Sequence, residues 1–277
     1  MVAQAAARRP VTNFLSRILV AVVGLPLVLG LVWLGGWWLF VLVAAAGFIA
    51  LHEFYFMTRP LRPLVIAGYA GLLLILFGME LGGLEWATGG VVATLALSFL
   101  LKGLAETRQS AIVSVGTTLL GATWIGFGLG YVLLLRDLPE HSRLASYAVL
   151  LAVFAGDTAA YAFGALFGRH RLAPGISPGK TWEGFVAGTV ATIAAAFFAL
   201  YKDRHDFLSV GQAIVLGIVL AAAAPLGDLF ESLLKRDMQV KDAGRLLGGH
   251  GGVLDRVDSL LFAAVAAFYA ISAFGAA

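Results

Sequence analysis

The chain has 277 residues, of which 60% are hydrophobic and 13% charged, with a mean hydropathy of +0.92. Soluble domains carry about 25% charged residues, so the composition excludes a water-soluble globular enzyme and a disordered chain. It also excludes a nucleic-acid binder, because a net charge of +3 comes from 19 Lys and Arg scattered along the chain. With no Cys, disulfides, thiolate metal sites and Cys nucleophiles are excluded as well.

A membrane helix takes about 20 apolar residues. In chain order, the apolar runs predict nine spans near 14–34, 37–57, 63–79, 88–101, 110–135, 145–168, 182–201, 208–230 and 253–275. Residues 1–13 read as a cytoplasmic tail and 14–277 as a single all-α polytopic membrane domain. Arg8, Arg9 and Arg17 around the start of the first run resemble a signal peptide, but the immediate second run from Trp37 favours a retained span. Glu80 and Glu85 lie in the link between the third and fourth runs. Placing the N-terminus in the cytoplasm puts 15 Lys and Arg inside and 4 outside, as the positive-inside rule requires. The expected topology is therefore N-in and C-out. Nine spans use roughly 180 residues and leave no room for a soluble domain, so chemistry must fall on loops and helix ends. Small-residue pairs such as Gly164 with Gly168 and Gly184 with Gly188 read as close packing within the bundle, with a homodimer left open.

Charges inside a bilayer cost about 2.5–3.5 kcal/mol each on insertion scales and usually mark function. In the first half, His52 and Glu53 end the second run. They lack the second His of a zinc helix motif and read as interfacial residues. The catalytic half is expected at 145–277. Asp157 falls inside the sixth run, Asp228 and Glu231 at the end of the eighth, and Asp255 and Asp258 at the start of the ninth. Two basic loops, 169–181 and 231–252, are separated by an out-and-back pair of spans. Both reach the cytoplasmic face and can meet over one site.

Gly179-Lys180-Thr181 is not a phosphate-binding P-loop. Gly175 to Gly179 leaves three residues where four are needed, and a membrane span, not a strand, is expected before it. What survives is a Pro-stiffened turn presenting Ser177, Lys180 and Thr181 before a helix start, where anions are favoured. A plain positive-inside loop accounts for it equally well. Asp228, Ser232 and Lys235 share one helix face if the helix continues, and Glu231 can pair with Lys235 at i, i+4. Asp255 and Asp258 suit the dipole of a first helical turn. Two acidic pairs among basic residues also match the way Mg²⁺ is held, by one or two carboxylates plus substrate phosphates. In Gly248-Gly249-His250-Gly251-Gly252 the glycines permit close backbone approach to a ligand, and the His can bond a phosphate oxygen or move a proton. Surrounding Lys and Arg suit phosphate charge. These residues describe a metal-plus-base site for phosphates at the membrane–cytoplasm boundary, which means phosphoryl or nucleotidyl chemistry on a lipid.

The segment from Ser232 to Asp258 reads Ser-x-apolar-Lys-Arg, four residues, Lys-Asp, then Gly two before His-Gly-Gly, then Asp-Arg-apolar-Asp. It resembles the signature of the phosphatidate cytidylyltransferases, also called CDP-diacylglycerol synthases. The stretches Asp157–Tyr161, Ile176–Gly184 and Gly227-Asp228 are similar to that family too, so the specific resemblance covers roughly 150–260. The first half matches only as generic spans. Gly248 stands where many members have Pro.

The resemblance implies a nucleotidyltransferase of a bacterial cytoplasmic (inner) membrane, with its active site facing the cytoplasm. Its substrates would be CTP and phosphatidic acid, and its cofactor Mg²⁺, with a second cation left open. It implies catalytic roles for Asp228, Asp255, Lys241 and His250. Substrate contacts would come from Ser177, Lys180, Thr181, Ser232, Lys235, Arg236 and Arg256. Metal binding would fall to Asp228 and Asp255, with Asp258 and Asp157 as further candidates. Two rivals are weaker. A CDP-alcohol phosphatidyltransferase needs an arrangement of aspartates that is missing here, and a transporter using Asp157 and Asp228 as ion sites would distribute its charges over both halves.

Overall fold

The computed structural model describes residues 24–104, 110–203, 205–244 and 251–275. Eight helices follow in order: α1 (Gly24–Leu34), α2 (Gly36–Met57), α3 (Val65–Leu104), α4 (Ala111–Arg136), α5 (Ser142–Phe167), α6 (Trp182–Leu200), α7 (Val210–Asp237) and α8 (Leu254–Ala273). Seven of them, α2 to α8, are long and apolar enough to cross a membrane. Their outward faces carry exposed Trp38, Val41, Phe56, Ile66, Phe99, Ile112, Leu166 and Phe198, surface that suits lipid and not water. The chain is thus an all-α polytopic membrane protein.

Helix ends follow local chemistry. Pro60 and Pro63 follow α2 and stop it, since neither can donate to a continuing helix. Ser209 and Gln212 form a reciprocal capping box at the start of α7.

The third and fourth apolar runs join in the single element α3, broken at Gly83, whose φ of 67° and ψ of −152° are not helical. Only glycine tolerates that conformation readily. Beyond the break the chain folds back on itself. A Cβ on Gly78 would lie 2.5 Å from the backbone nitrogen of Ala87, and one on Gly90 would lie 2.9 Å from that of Ile75. Gly71 likewise faces Thr94. The paired positions approach as in an antiparallel helical hairpin, and the glycines let its arms touch at backbone distance.

α4 is central. It packs on α2, α3, α5 and α8, while α5, α6, α7 and α8 pack in succession and close the second half of the molecule on α4. Leu51, Phe54, Leu72, Ile75, Ile125 and Leu133 fill the core between the early helices. The Gly184 and Gly188 spacing serves α5 and α6: a Cβ on Gly184 would meet the carbonyl oxygen of Ala160 at 2.6 Å.

Two local expectations are corrected. The first basic loop is not irregular: β1 (Arg171–Ala173) and β2 (Ser177–Thr181) form an antiparallel two-stranded hairpin, with Arg171 opposite Thr181 and Ala173 opposite Ser177. Pro174 suits the turn, and Pro178 is tolerated because a two-stranded sheet has only edge strands. The second basic loop starts later than expected, because α7 continues to Asp237. Arg245 and His250 lie outside the described residues.

The arms of the α3 hairpin generate a prediction. Gly78→Ala should destabilise the protein by about 1–3 kcal/mol, because the atoms it meets are backbone and cannot rotate away. Gly89→Ala, with nothing within 4 Å of the added carbon, should leave stability unchanged or slightly raised. Thermal unfolding in detergent compares the two, and equal melting temperatures would remove the close-packed hairpin.

Candidate active site

The site begins with α7. Pro225 cannot donate a backbone hydrogen bond, and Gly227 follows two residues later. A Cβ on Gly227 would collide with the carbonyl oxygen of Asp258, so the missing side chain lets α7 and α8 touch. Two turns of α7 then place Asp228, Glu231, Ser232 and Lys235 on the side that meets α8. The Ser232 hydroxyl donates to Asp228 Oδ1 at 3.4 Å.

The hairpin meets this face from the side. Lys180 Nζ on β2 pairs with Asp228 Oδ2 at 2.8 Å. Arg236 Nε donates to the carbonyl oxygen of Ile176 in the hairpin turn at 3.1 Å. The two basic segments therefore converge. Thr181 caps α6, its hydroxyl accepting from the Gly184 N–H at 3.2 Å. Glu183 holds the start of the hairpin, accepting from the Arg169 N–H at 3.1 Å and bonding His170 Nδ1 at 2.6 Å.

α8 closes the site. Lys235 Nζ bridges Glu231 Oε2 at 2.6 Å and Asp255 Oδ1 at 2.8 Å. Asp255 Oδ2 also accepts the Gly252 N–H at 2.7 Å and the Ala243 N–H at 3.3 Å. The Asp255 carboxylate thus ties the end of α7, the amides of Ala243 and Gly252, and the first turn of α8. Gly251 needs its freedom: its φ is +79°, and a Cβ there would sit 2.8 Å from Asp255 Oδ2. Asp258, buried beside this group, accepts the Ser259 N–H at 2.7 Å. Asp157 reaches in from α5, bonded to Ser259 and within electrostatic reach of Asp228 and Lys180.

The structure separates the expected residues into those it gathers and those it does not. Asp157, Lys180, Asp228, Ser232, Lys235, Asp255 and Asp258 form one group. Arg236 is exposed at its edge, Arg256 is exposed on the first turn of α8, and Lys241 is exposed beyond α7. Two side chains differ from expectation. Thr181 is 5% exposed and its hydroxyl is engaged in the cap. Lys235 faces two carboxylates and not an open surface. Three acids were undervalued. Glu53, read as an interfacial residue, is buried within the protein and accepts the Leu254 N–H at 2.8 Å. Glu231 is fully buried under Lys235, although its i, i+4 spacing did announce that pair. Glu183 was legible only as part of the family-like stretch Ile176–Gly184, with no role attached.

Charge sets what the arrangement can do. Among the described residues, Asp157, Asp228, Glu231, Asp255 and Asp258 gather around Lys180 and Lys235. The hard oxygens of such a carboxylate cluster suit a divalent cation. Among the described residues, no three acids or histidines converge closely enough to hold a metal ion by themselves. That pattern fits an ion shared between one or two carboxylates and a phosphate-bearing substrate, and not a cage made of protein alone.

Comparison with known proteins bears on the whole chain. Residues 15–274 match the cytidylyltransferase family. A phosphatidate cytidylyltransferase of Mycobacterium bovis is 34% identical over 268 residues, covering 90% of this chain and 85% of the relative. One from Staphylococcus haemolyticus is 34% identical over 250 residues, covering 89% and 94%. One from Mycobacterium leprae is 35% identical over 249 residues, covering 82% and 78%. The likeness runs through the first half as well, which corrects the expectation that only 150–260 is specific. With the site geometry and the length of these matches together, the chain belongs to the cytidylyltransferase family.

Proposed function

We propose that the protein transfers CMP from CTP to phosphatidic acid, releasing pyrophosphate and leaving CDP-diacylglycerol in the bilayer. The observation that carries this reading is the juxtaposition of two carboxylate–lysine pairs, Lys180 with Asp228 and Lys235 with Asp255, where apolar helices end. A water-soluble triphosphate and a lipid headgroup can both reach such a place. The relatives' names support the same substrates.

In the reaction, an oxygen of the phosphatidate phosphate bonds to the α-phosphorus of CTP. The bond from that phosphorus to the bridging oxygen breaks, and its electron pair leaves with pyrophosphate. The attacking group is already an anion at neutral pH, so no protein nucleophile is needed. The protein's task is positioning and charge neutralisation. Lys180 has three N–H donors, and one on Asp228 leaves others for a phosphate. Lys235, held between two acids, orients Asp255. Arg236, Lys241 and Arg256 offer charge at the rim, and Ser177 and Ser232 offer hydroxyls. His250 is assigned to a phosphate oxygen on sequence grounds. Asp228 and Asp255 would hold Mg²⁺, supported by Asp157 and Asp258, and the ion would offset charge at the α-phosphorus.

The topology that goes with this reading is nine spans, N-in and C-out, in a bacterial inner membrane, with the site on the cytoplasmic side where CTP is available. Single cysteines at Arg171 and Gln239 in this Cys-free chain should resist an impermeant thiol reagent on intact cells and react once the cells are opened. Labelling of either from outside would reverse the orientation.

Activity tests the roles. Asp228→Asn and Asp255→Asn should each lose most CTP-dependent formation of CDP-diacylglycerol in mixed micelles, at matched amounts of membrane-inserted protein. Lys180→Arg keeps the charge but replaces a compact ammonium by a planar fork. A displacement of about 1 Å costs on the order of 100-fold in rate, and a loss of that size is expected. Lys102→Arg, outside the site, should leave the rate unchanged. Wild-type rates in both Asn variants would remove these carboxylates from the reaction.

A further inference from the structure

We infer that Glu53, on the second helix, is a positioning residue for the reaction: it holds Gly244, Gly252 and the first amide of α8 in place, and so keeps Asp255 on Lys235. This rests on the transfer reaction proposed above and adds to it a residue from the first half of the chain.

α8 has no cap of its own, because Val253 stands at the N-cap position and no side chain there accepts a hydrogen bond. Residues that start helices normally supply that acceptor locally. Here it comes from 201 positions earlier in the chain, as Glu53 Oε2 takes the Leu254 N–H at 2.8 Å. An anion at a helix N-terminus is also favoured by the helix dipole. Glu53 is 5% exposed, and Ala50, Leu51 and Phe54 around it are fully buried. It therefore projects from a part of α2 that is locked into the core.

The same carboxylate lies against two glycines. A Cβ on Gly244 or on Gly252 would collide with Glu53. Two different acids thus hold the backbone at 243–244 and at Gly252. Asp255 accepts the amides of Ala243 and Gly252, and Glu53 packs beneath Gly244 and Gly252 and caps Leu254, the neighbour of Asp255. Among the described residues, Glu53 Oε1 is buried with no hydrogen-bond partner. A buried carboxylate costs several kcal/mol and persists here where the backbone of the site passes closest. If Glu53 is changed, Gly244 and Gly252 lose their floor and Leu254 loses its acceptor. Asp255 then loses the frame that aims it, although no group at the reacting phosphates has been removed.

The test uses the full-length protein in detergent. Ala243, next to Gly244, is 3% exposed, and Ala264, in the middle of α8, is fully buried. A single cysteine at either position reports local opening by its rate of thiol labelling. Glu53→Gln should raise labelling at position 243 by about tenfold or more and leave position 264 unchanged. Partners that orient metal-site carboxylates typically contribute about 10- to 100-fold, so kcat/KM for CTP should fall within that range while KM for phosphatidate stays at its wild-type value. Should Glu53→Gln fail to give monodisperse protein, Glu53→Asp replaces it, since it keeps the charge but is too short to reach Leu254. Unchanged protection at position 243, or an equal rise at 243 and 264, would overturn the inference. So would a rise in KM for phosphatidate as large as the fall in kcat/KM for CTP. The labelling result does not need an active enzyme. A wild-type protein that makes no CDP-diacylglycerol would sink the proposed reaction and leave the pinning to be judged on the thiols alone.

Discussion

Lys180 and Asp228 form the contact on which the arrangement of the catalytic half depends. Asp228 sits near the end of a long apolar helix, where an uncompensated charge is unfavourable. Its ammonium partner comes from a hairpin between two other helices, so the hairpin must fold back over α7 to satisfy it. Arg236 fixes the other edge of the same hairpin through the Ile176 carbonyl. Gly227 sets the third side by letting α8 come within backbone distance, which brings Asp258 and Asp255 to the same place. One ion pair and one missing side chain thus bring β2, α7 and α8 to a common point.

The two lysines have different surroundings and different energetics. Lys235 lies between Glu231 and Asp255 with 11% of its side chain exposed. Breaking a buried pair of this kind typically costs about 3–5 kcal/mol, because a charge is stranded. Lys180 is 21% exposed beside an Asp228 that is 36% exposed. The Lys180 ammonium itself is buried, so the pair holds the hairpin on α7, while the more open Asp228 lets that ammonium exchange a carboxylate for a phosphate oxygen of like charge. Rigidity on the α8 side and exchangeability on the hairpin side are what a site needs if it is to bind a triphosphate and then release pyrophosphate.

Much of this was legible in the sequence, and the gaps have physical causes. Apolar runs find membrane helices because lipid leaves a helix few alternatives. The aspartates stood out because charges near such helices are rare. The i, i+4 spacing announced Glu231 with Lys235. The hairpin at 171–181 was hidden because its strands are very short and punctuated by Pro and Gly, which read as loop. The fold-back of α3 was legible as two apolar runs with a link, but the sharp break at Gly83 within it was not, because no neighbouring residue betrays that conformation. Glu53 was hidden most deeply. Its meaning comes from a contact with Leu254 across nearly the whole chain, and no periodicity or spacing encodes that. Read locally, it is an acid beside a His at the end of a span.

The central claim is that Asp228 and Asp255 share a divalent ion with the phosphates of CTP. Mn²⁺ can replace Mg²⁺ as a paramagnetic reporter, and pulsed electron resonance then detects coupling to phosphorus. The account predicts that wild-type protein with Mn²⁺ and CTP shows a protein-bound ion coupled to phosphorus, and that Asp228→Asn lacks this species although the protein remains folded. An unchanged phosphorus-coupled Mn²⁺ population in Asp228→Asn, bound with wild-type affinity, would contradict it.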